Sequence, residues 1–184
     1  MKTRARIPAL TWVLLLVASA PLLAQQTQPQ APAARPEDVA SVDAILAALY
    51  DVISGPAGQK RDWDRFHSLF VPGMSRLIPT GRRADGTAGY RSLTPAEYQT
   101  SSAPGLEGQG FFEKEIHRVV ETFGNVTHAF STYESRRTLN DAQPFSRGIN
   151  SIQLLNDGKR WWVMTIFWDS ERENNPIPAR YLGR

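Results

Sequence analysis

Apolar residues recur with a helical period in the first half of this chain and with a period of two in the second half. Val39, Val42, Ile45, Leu46, Leu49 and Ile53 return at intervals that place them on one helical stripe. Pro36, Glu37 and Asp38 precede the stripe, a proline and two acids where a helix favours them, and Ser54-Gly55-Pro56 closes it. Asp62 can cap a second, short helix whose buried side is Trp63, Phe66, Leu69 and Phe70. SRLIPT (Ser75–Thr80) reads as a short strand, and Gly81 to Leu93 as a polar, glycine-rich surface loop. Thr94-Pro95-Ala96-Glu97 forms a capping box with proline at the first helical position, which predicts a brief third helix.

After Gly110 the period becomes two. Phe111–Phe123, Val126–Thr138, Arg147–Leu155 and Trp161–Trp168 read as four successive strands, with Gly124-Asn125 and Asp157-Gly158 as tight hairpin turns. Helices followed by an antiparallel meander define an α+β class, the helices packed in the concave face of a curved antiparallel sheet. If Asp157-Gly158 is a two-residue turn, one face of the last hairpin holds Trp162, Met164, Ile166 and Trp168 beside Ser151 and Gln153. The other holds Trp161, Val163, Thr165 and Phe167 beside Ile152 and Asn150. Both faces are largely apolar, so both are expected to be covered: one by the helices, the other by a second subunit or another surface.

The N-terminus alters the reading of the charge. Lys2, Arg4 and Arg6 precede the apolar run Ala9–Ala20, and Leu22-Leu23-Ala24 offers a cleavage site before Gln25. This is the layout of a secretory signal peptide, and the run is too short to span a bilayer. The expected organisation is therefore 1-24 signal peptide, 25-36 disordered tether of glutamine, proline and alanine, and 37-184 one folded domain. The whole chain has 21 basic and 18 acidic residues. Loss of the three basic residues in the signal leaves the mature chain at zero net charge, which removes the case for a nucleic-acid partner. The mature chain is expected in the periplasm or the extracellular medium, with no membrane span. There is no cysteine, so neither disulfides nor thiol chemistry enter.

DWDRFHSLF, GFFEKEIHRVVETFGNVTHAFSTYESR and RGINSIQLLNDGKRWWVMTIFWDSE, together with the first helix, resemble the nuclear transport factor 2-like superfamily. Phe167-Trp168-Asp169 stands where the SnoaL-like and ketosteroid-isomerase-like branches end their final strand in an aromatic pair before an acid or serine. The resemblance implies a cone-shaped sheet wrapped around the helices, a pocket between them, and pairing through the convex outer face. It does not imply one activity, because this fold hosts isomerases, dehydratases, cyclases and binding modules. The isomerases place a base on an early strand and a second carboxyl on the penultimate strand, whereas SRLIPT and RGINSIQLL contain no acid. Tyr50 alone stands where those enzymes keep a tyrosine, a position a core residue could equally occupy.

Other acid–base candidates remain. Glu113, Glu115, His117 and Glu121 alternate on one face of a regular strand, where a carboxylate beside a histidine could act as base and orienter or form a solvated rim. Asp62 and Asp64 open the second helix and suit its dipole, with a catalytic part for Asp62 as the lesser reading. His67 and His128 are isolated, no metal-ligand spacing appears, and no cofactor is expected. The leading expectation is an exported homodimeric domain that binds a small hydrophobic molecule against Trp162, Met164, Ile166, Trp168, Ser151, Gln153 and Tyr50. The rivals are an isomerase, dehydratase or cyclase using Glu115 and His117 or Asp62, and a pure interaction module.

Overall fold

The computed structural model describes residues 30–183, so the segment read as a signal peptide and residues 25–29 of the tether lie outside the described residues. The helical stripe divides in two. Pro36–Asp38 is a separate 3-10 turn, and helix α1 (Val42–Ile53) starts where Ser41 accepts a hydrogen bond from the Ala44 amide at 3.0 Å. Asp38 is thereby freed to pair with Arg65 of helix α2 (Trp63–Ser68), with Arg65 Nε 2.7 Å from its carboxylate. Asp62 caps α2 by accepting from the Arg65 amide at 2.9 Å.

Helix α3 (Pro95–Gln109) begins with the reciprocal Thr94–Glu97 capping box but is not brief, running 15 residues through Pro104. Its polar, glycine-containing second half is held by tertiary partners. Buried Arg61 donates to the Leu106 carbonyl at 2.8 Å, while Glu107 accepts from the Arg61 amide and the Trp63 indole. Helix-terminal carbonyls need such donors, and local propensity does not foresee them.

The sheet consists of β1 (Arg76–Arg82), β2 (Ala88–Tyr90), β3 (Phe112–Phe123), β4 (Val126–Arg136), β5 (Ser146–Asn156) and β6 (Trp161–Ser170), in the order β2-β1-β6-β5-β4-β3. The meander from β3 to β6 is antiparallel as expected. Two features differ from the sequence reading. The loop after SRLIPT contains β2, and β1 lies parallel to β6, so the sheet is mixed and open rather than wholly antiparallel. Parallel neighbours need a long connection, and here α3 and four strands lie between the two. The helices cover one face, where Ile45, Leu46, Phe66, Leu69 and Phe70 meet Ala129, Ile152, Leu154 and Val163, all at most 2% exposed.

The pairing of the last hairpin differs in two respects. Asn156 pairs with Trp161, so the turn is four residues, Asp157–Arg160, closed by Asp157 side-chain acceptance from the Lys159 and Arg160 amides. A bulge then takes up Met164, because Leu154 pairs with Val163 but Gln153 pairs with Thr165. Side chains on either side of a bulge change face relative to a regular strand. The helix-facing side of β6 is therefore Trp161, Val163, Ile166 and Trp168, and the outer side is Trp162, Thr165 and Phe167. The two faces expected from regular alternation are each a mixture of these.

Strand β3 has the same defect. Glu115 pairs with Tyr133 but His117 pairs with Thr132, which leaves Ile116 as the extra residue. Glu113 and Glu115 share the inner face of the sheet with Ser135 and Tyr133, and beyond the bulge Arg118 and Val120 continue that face. His117 and Glu121 point the other way.

Candidate functional site

A cavity of about 110 Å³ lies between the helices and the inner face of the sheet. Its walls are mostly apolar: Leu49 and Ile53 of α1, Phe66 of α2, Leu77 of β1, Phe111, and Ile166 and Trp168 of β6. Its polar groups are Glu113, Asn150 and three tyrosines, Tyr50, Tyr98 and Tyr133. Each is positioned by a different element. Tyr98 comes from α3, where it stacks on Phe66 at 5.6 Å and meets Trp168 edge-on at 6.3 Å. Tyr133 fits because residue 148 is glycine: a Cβ there would lie 2.5 Å from the Tyr133 hydroxyl and 2.4 Å from the Asp169 carbonyl.

The end of α1 fixes Glu113. Ser54 accepts from the Glu113 amide at 3.0 Å, and Gly55 and Phe111 exchange backbone hydrogen bonds. The residue as a whole is half-buried, but its carboxyl is enclosed, accepting from Ser135 Oγ at 2.8 Å, with Asn150 on the same cavity wall. Burial pushes this carboxyl up to about 7, and the Ser135 hydrogen bond offsets only part of that. Burial likewise raises the Tyr50, Tyr98 and Tyr133 phenols, with the nearby Glu113 charge acting in the same direction. At neutral pH the cavity thus holds neutral phenols and a carboxyl near half-protonation, groups that can give or take a proton inside an apolar enclosure.

A second, open depression of about 730 Å³ adjoins the cavity, with Tyr50 and Glu113 belonging to the walls of both. Its remaining walls set charged side chains, among them Asp43 and Asp51 of α1, Glu115 and Arg118 of β3, and Arg136 of β4, beside the apolar Leu46, Ala47, Phe112 and Leu139. Glu115 lies in this groove, 3.5 Å from the Arg118 guanidinium, which also pairs with Asp43.

The residues singled out from the sequence are distributed unevenly. Tyr50, Ile166 and Trp168 line the cavity. Trp162, Met164, Ser151 and Gln153 do not: the bulge occupies Met164, and Trp162 packs under the Arg160 guanidinium at 3.6 Å and donates to Asp157. Ser151 bonds to His128 at 3.0 Å, and Gln153 shares the outer face with Thr165. Glu115 and His117 are separated by the β3 bulge onto opposite faces, with Gly183 packed against the His117 ring. Asp62 is occupied as the α2 cap and as the partner of Arg35 at 2.9 Å, and it lines neither depression.

The sequence reading does not single out Asn150, Tyr98 or Tyr133, and it names Glu113 only as one of the alternating acids of its strand. Asn150 carried a usable signal, since it alternates with Gly148, Ile152 and Leu154 on what proves to be the buried face, where a lone amide requires partners.

No protein family and no curated protein matches the chain in sequence. Solved structures do match in shape. Kfla4162 protein from Kribbella flavida superposes with TM-score 0.52 at 7% identity, over 72% of this chain and 90% of that one. An NTF2-like protein of unknown function from Methylobacillus flagellatus KT gives 0.45 at 12% identity, over 72% and 95%. Another from Shewanella baltica OS155 gives 0.41 at 13% identity, over 72% and 98%. The chain has an α+β fold like that of the Kribbella flavida protein, and at this identity the likeness is one of fold alone.

Proposed function

We propose that the chain binds a small, mostly apolar molecule in the inner cavity and exchanges a proton with it through Glu113. The observation that carries this reading is a carboxyl held near half-protonation at neutral pH, enclosed by Tyr50, Tyr133 and Asn150 at the one polar end of an apolar wall. Preorganised donors beside such a carboxyl suit proton transfer next to a carbonyl, because the Tyr98 and Tyr133 phenols can hold the oxygen on which charge develops. The cavity volume fits a compact ring or short chain. The test is deuterium uptake from D2O at the carbon beside the carbonyl, followed by NMR over a panel of small cyclic ketones and enones. Uptake that is faster with the protein, follows a midpoint near the Glu113 value, and falls at least tenfold in Glu113→Gln is the expected result. Binding without exchange would reduce the reading to a ligand carrier, and no binding would end it.

The same reading places the protein outside the cytoplasm, on the strength of the Met1–Ala24 pattern, and N-terminal sequencing of the exported chain tests this. It also keeps pairing through the outer sheet face as a proposal. Phe167 stands 47% exposed there, beside Phe130 and Ile149, with Tyr181 of the C-terminal segment already packed on Phe130 at 5.0 Å. Sedimentation of wild type against Phe167→Asp decides whether a second copy uses what remains.

A further inference from the structure

The inner cavity and the charged groove are joined by a line of hydrogen bonds whose direction is fixed at both ends. Asn150 Nδ2 can only donate, and it lies 3.1 Å from the Tyr50 hydroxyl oxygen. Tyr50 Oη lies 2.6 Å from Ser131 Oγ, and Ser131, which is fully buried, donates its own proton to the Glu115 carboxylate. That carboxylate is in an ion pair with Arg118 and can only accept. With Ser131's single proton committed to Glu115, the Ser131 oxygen must accept from Tyr50, so the order is Asn150 to Tyr50 to Ser131 to Glu115. The tyrosine therefore has no proton to offer the cavity. Its oxygen presents a lone pair there instead.

We propose that Tyr50, Ser131 and Glu115 form a proton relay that takes a proton from a hydroxyl-bearing ligand in the cavity and delivers it to Glu115 in the groove. As the ligand O–H bond breaks, its proton joins Tyr50 Oη. The Tyr50 proton passes to Ser131 Oγ, and the Ser131 proton passes to a carboxylate oxygen of Glu115. One O–H bond breaks and one forms at each hydroxyl, the ligand is left as an alkoxide or phenolate, and Glu115 becomes the neutral acid. No tyrosinate is formed, which matters because burial strongly disfavours one. Asn150 cannot pass a proton on, and its part is to orient Tyr50. The ligand class deepens the reading proposed above and rests on it: a small apolar molecule with an acidic hydroxyl. Glu115 and Ser131 are positioning residues on this scheme, since neither lines the cavity.

Two measurements test the relay. In the ligand-free protein labelled with 13C at the glutamate carboxyl, NMR follows the titration of Glu115 itself. The titratable and charged groups facing it are Asp43 and Asp51 from α1, Glu113, Lys114 and Arg118 on β3, Arg136 from β4 and Asp141, all retained in the variants compared. Tyr50→Phe does not touch Glu115, yet a polarised chain transmits its loss, raising the Glu115 midpoint by a few tenths of a pH unit, with Ser131→Ala raising it by about one. Ser131→Thr keeps the hydroxyl and restores the wild-type midpoint. An unchanged midpoint in Tyr50→Phe overturns the relay, whatever the cavity binds.

The second measurement uses 4-nitrophenol as the probe, whose phenolate absorbs in the visible. Bound to wild type, it should ionise about one pH unit lower than in Ser131→Ala or Glu115→Gln, with Ser131→Thr like wild type. A bound probe that ionises alike in all four proteins overturns the relay. Failure of wild type to take up the probe instead counts against the small-molecule reading, and the ligand-free titration still decides the relay.

Discussion

Strands β3 and β6 each take in one extra residue at mid-length, Ile116 in one and Met164 in the other, and the two bulges have opposite effects on the site. β6 lies inside the sheet between β1 and β5, where both of its edges are hydrogen-bonded and apolar residues stand on either side of it. Its bulge turns Val163, Ile166 and Trp168 together toward the helices and builds the apolar wall. β3 lies at the edge, where one side of the strand is open to solvent and polar side chains are tolerated. Its bulge keeps Glu113 and Glu115 inward and sends His117 outward. The interior strand supplies shape and the edge strand supplies titratable groups. A carboxyl of raised pKa could not be reached from solvent on an interior strand, whereas on the edge it borders both the cavity and the open groove.

The largest effect that can break this comparison is expected on β6. Val163→Glu puts a charge at a position with no exposure, so the folded state should lose several kcal/mol or be lost, whereas Thr165→Glu on the outer face should cost less than about 1 kcal/mol. Urea denaturation of the pair measures it, and equal costs would mean that β6 has no bulge.

The next effect belongs to β3. The Glu113 carboxyl ionises at about 7 when folded and lower when unfolded, so the folded state holds its proton more tightly between those values. Its contribution is fully present below the unfolded midpoint and is lost as pH rises through about 7, by at most roughly 3 kcal/mol. Glu113→Gln should remove that fall, so unfolding curves of the two proteins at pH 5 and pH 8 should diverge. Parallel pH dependences would place the carboxyl in water.

Trp168→Ala and Trp162→Ala sharpen the contrast between the two sides of β6. Trp168 lines the cavity and packs against the core, so its loss should cost about 2 kcal/mol and enlarge the space available to a probe. Trp162 is stacked under Arg160, and its loss should cost about 1 kcal/mol without changing probe uptake. Denaturation together with 4-nitrophenol binding reads both. The smallest effect is expected for His117→Ala, which should leave the Glu113 midpoint in place and change stability by about 0.5 kcal/mol or less. A displaced Glu113 midpoint would return His117 to the inner face.

The signals that were legible in the sequence are those carried by a few neighbouring residues. The Asp62 cap, the Thr94–Glu97 box and the Gly124-Asn125 turn each depend on chemistry within about one helical turn or one hairpin, and each stands where the sequence places it, as does the α1 stripe from Val42 onward. The α+β class follows from them. Tyr50, Ile166 and Trp168 were named and line the cavity, but Ile166 and Trp168 were grouped with Trp162 and Met164 because regular alternation was carried through a strand that is not regular.

What only the tertiary structure decided is where that alternation breaks. A bulge is favoured by the twist and packing of a whole sheet over its helices, and Ile116 and Met164 carry no local mark that separates them from their neighbours. One inserted residue reverses every side chain beyond it, which is why His117 is turned away from the face that Glu113 and Glu115 share. The same holds for β1 beside β6 and for α3 held open by Arg61: both join residues far apart in the chain, and no window of sequence contains both partners. The sequence determined most of the segments that are helix and strand, because those choices are made by local geometry, while the second half of α3 and strand β2 depend on distant partners. The facing of the chemical groups was settled by long-range pairing.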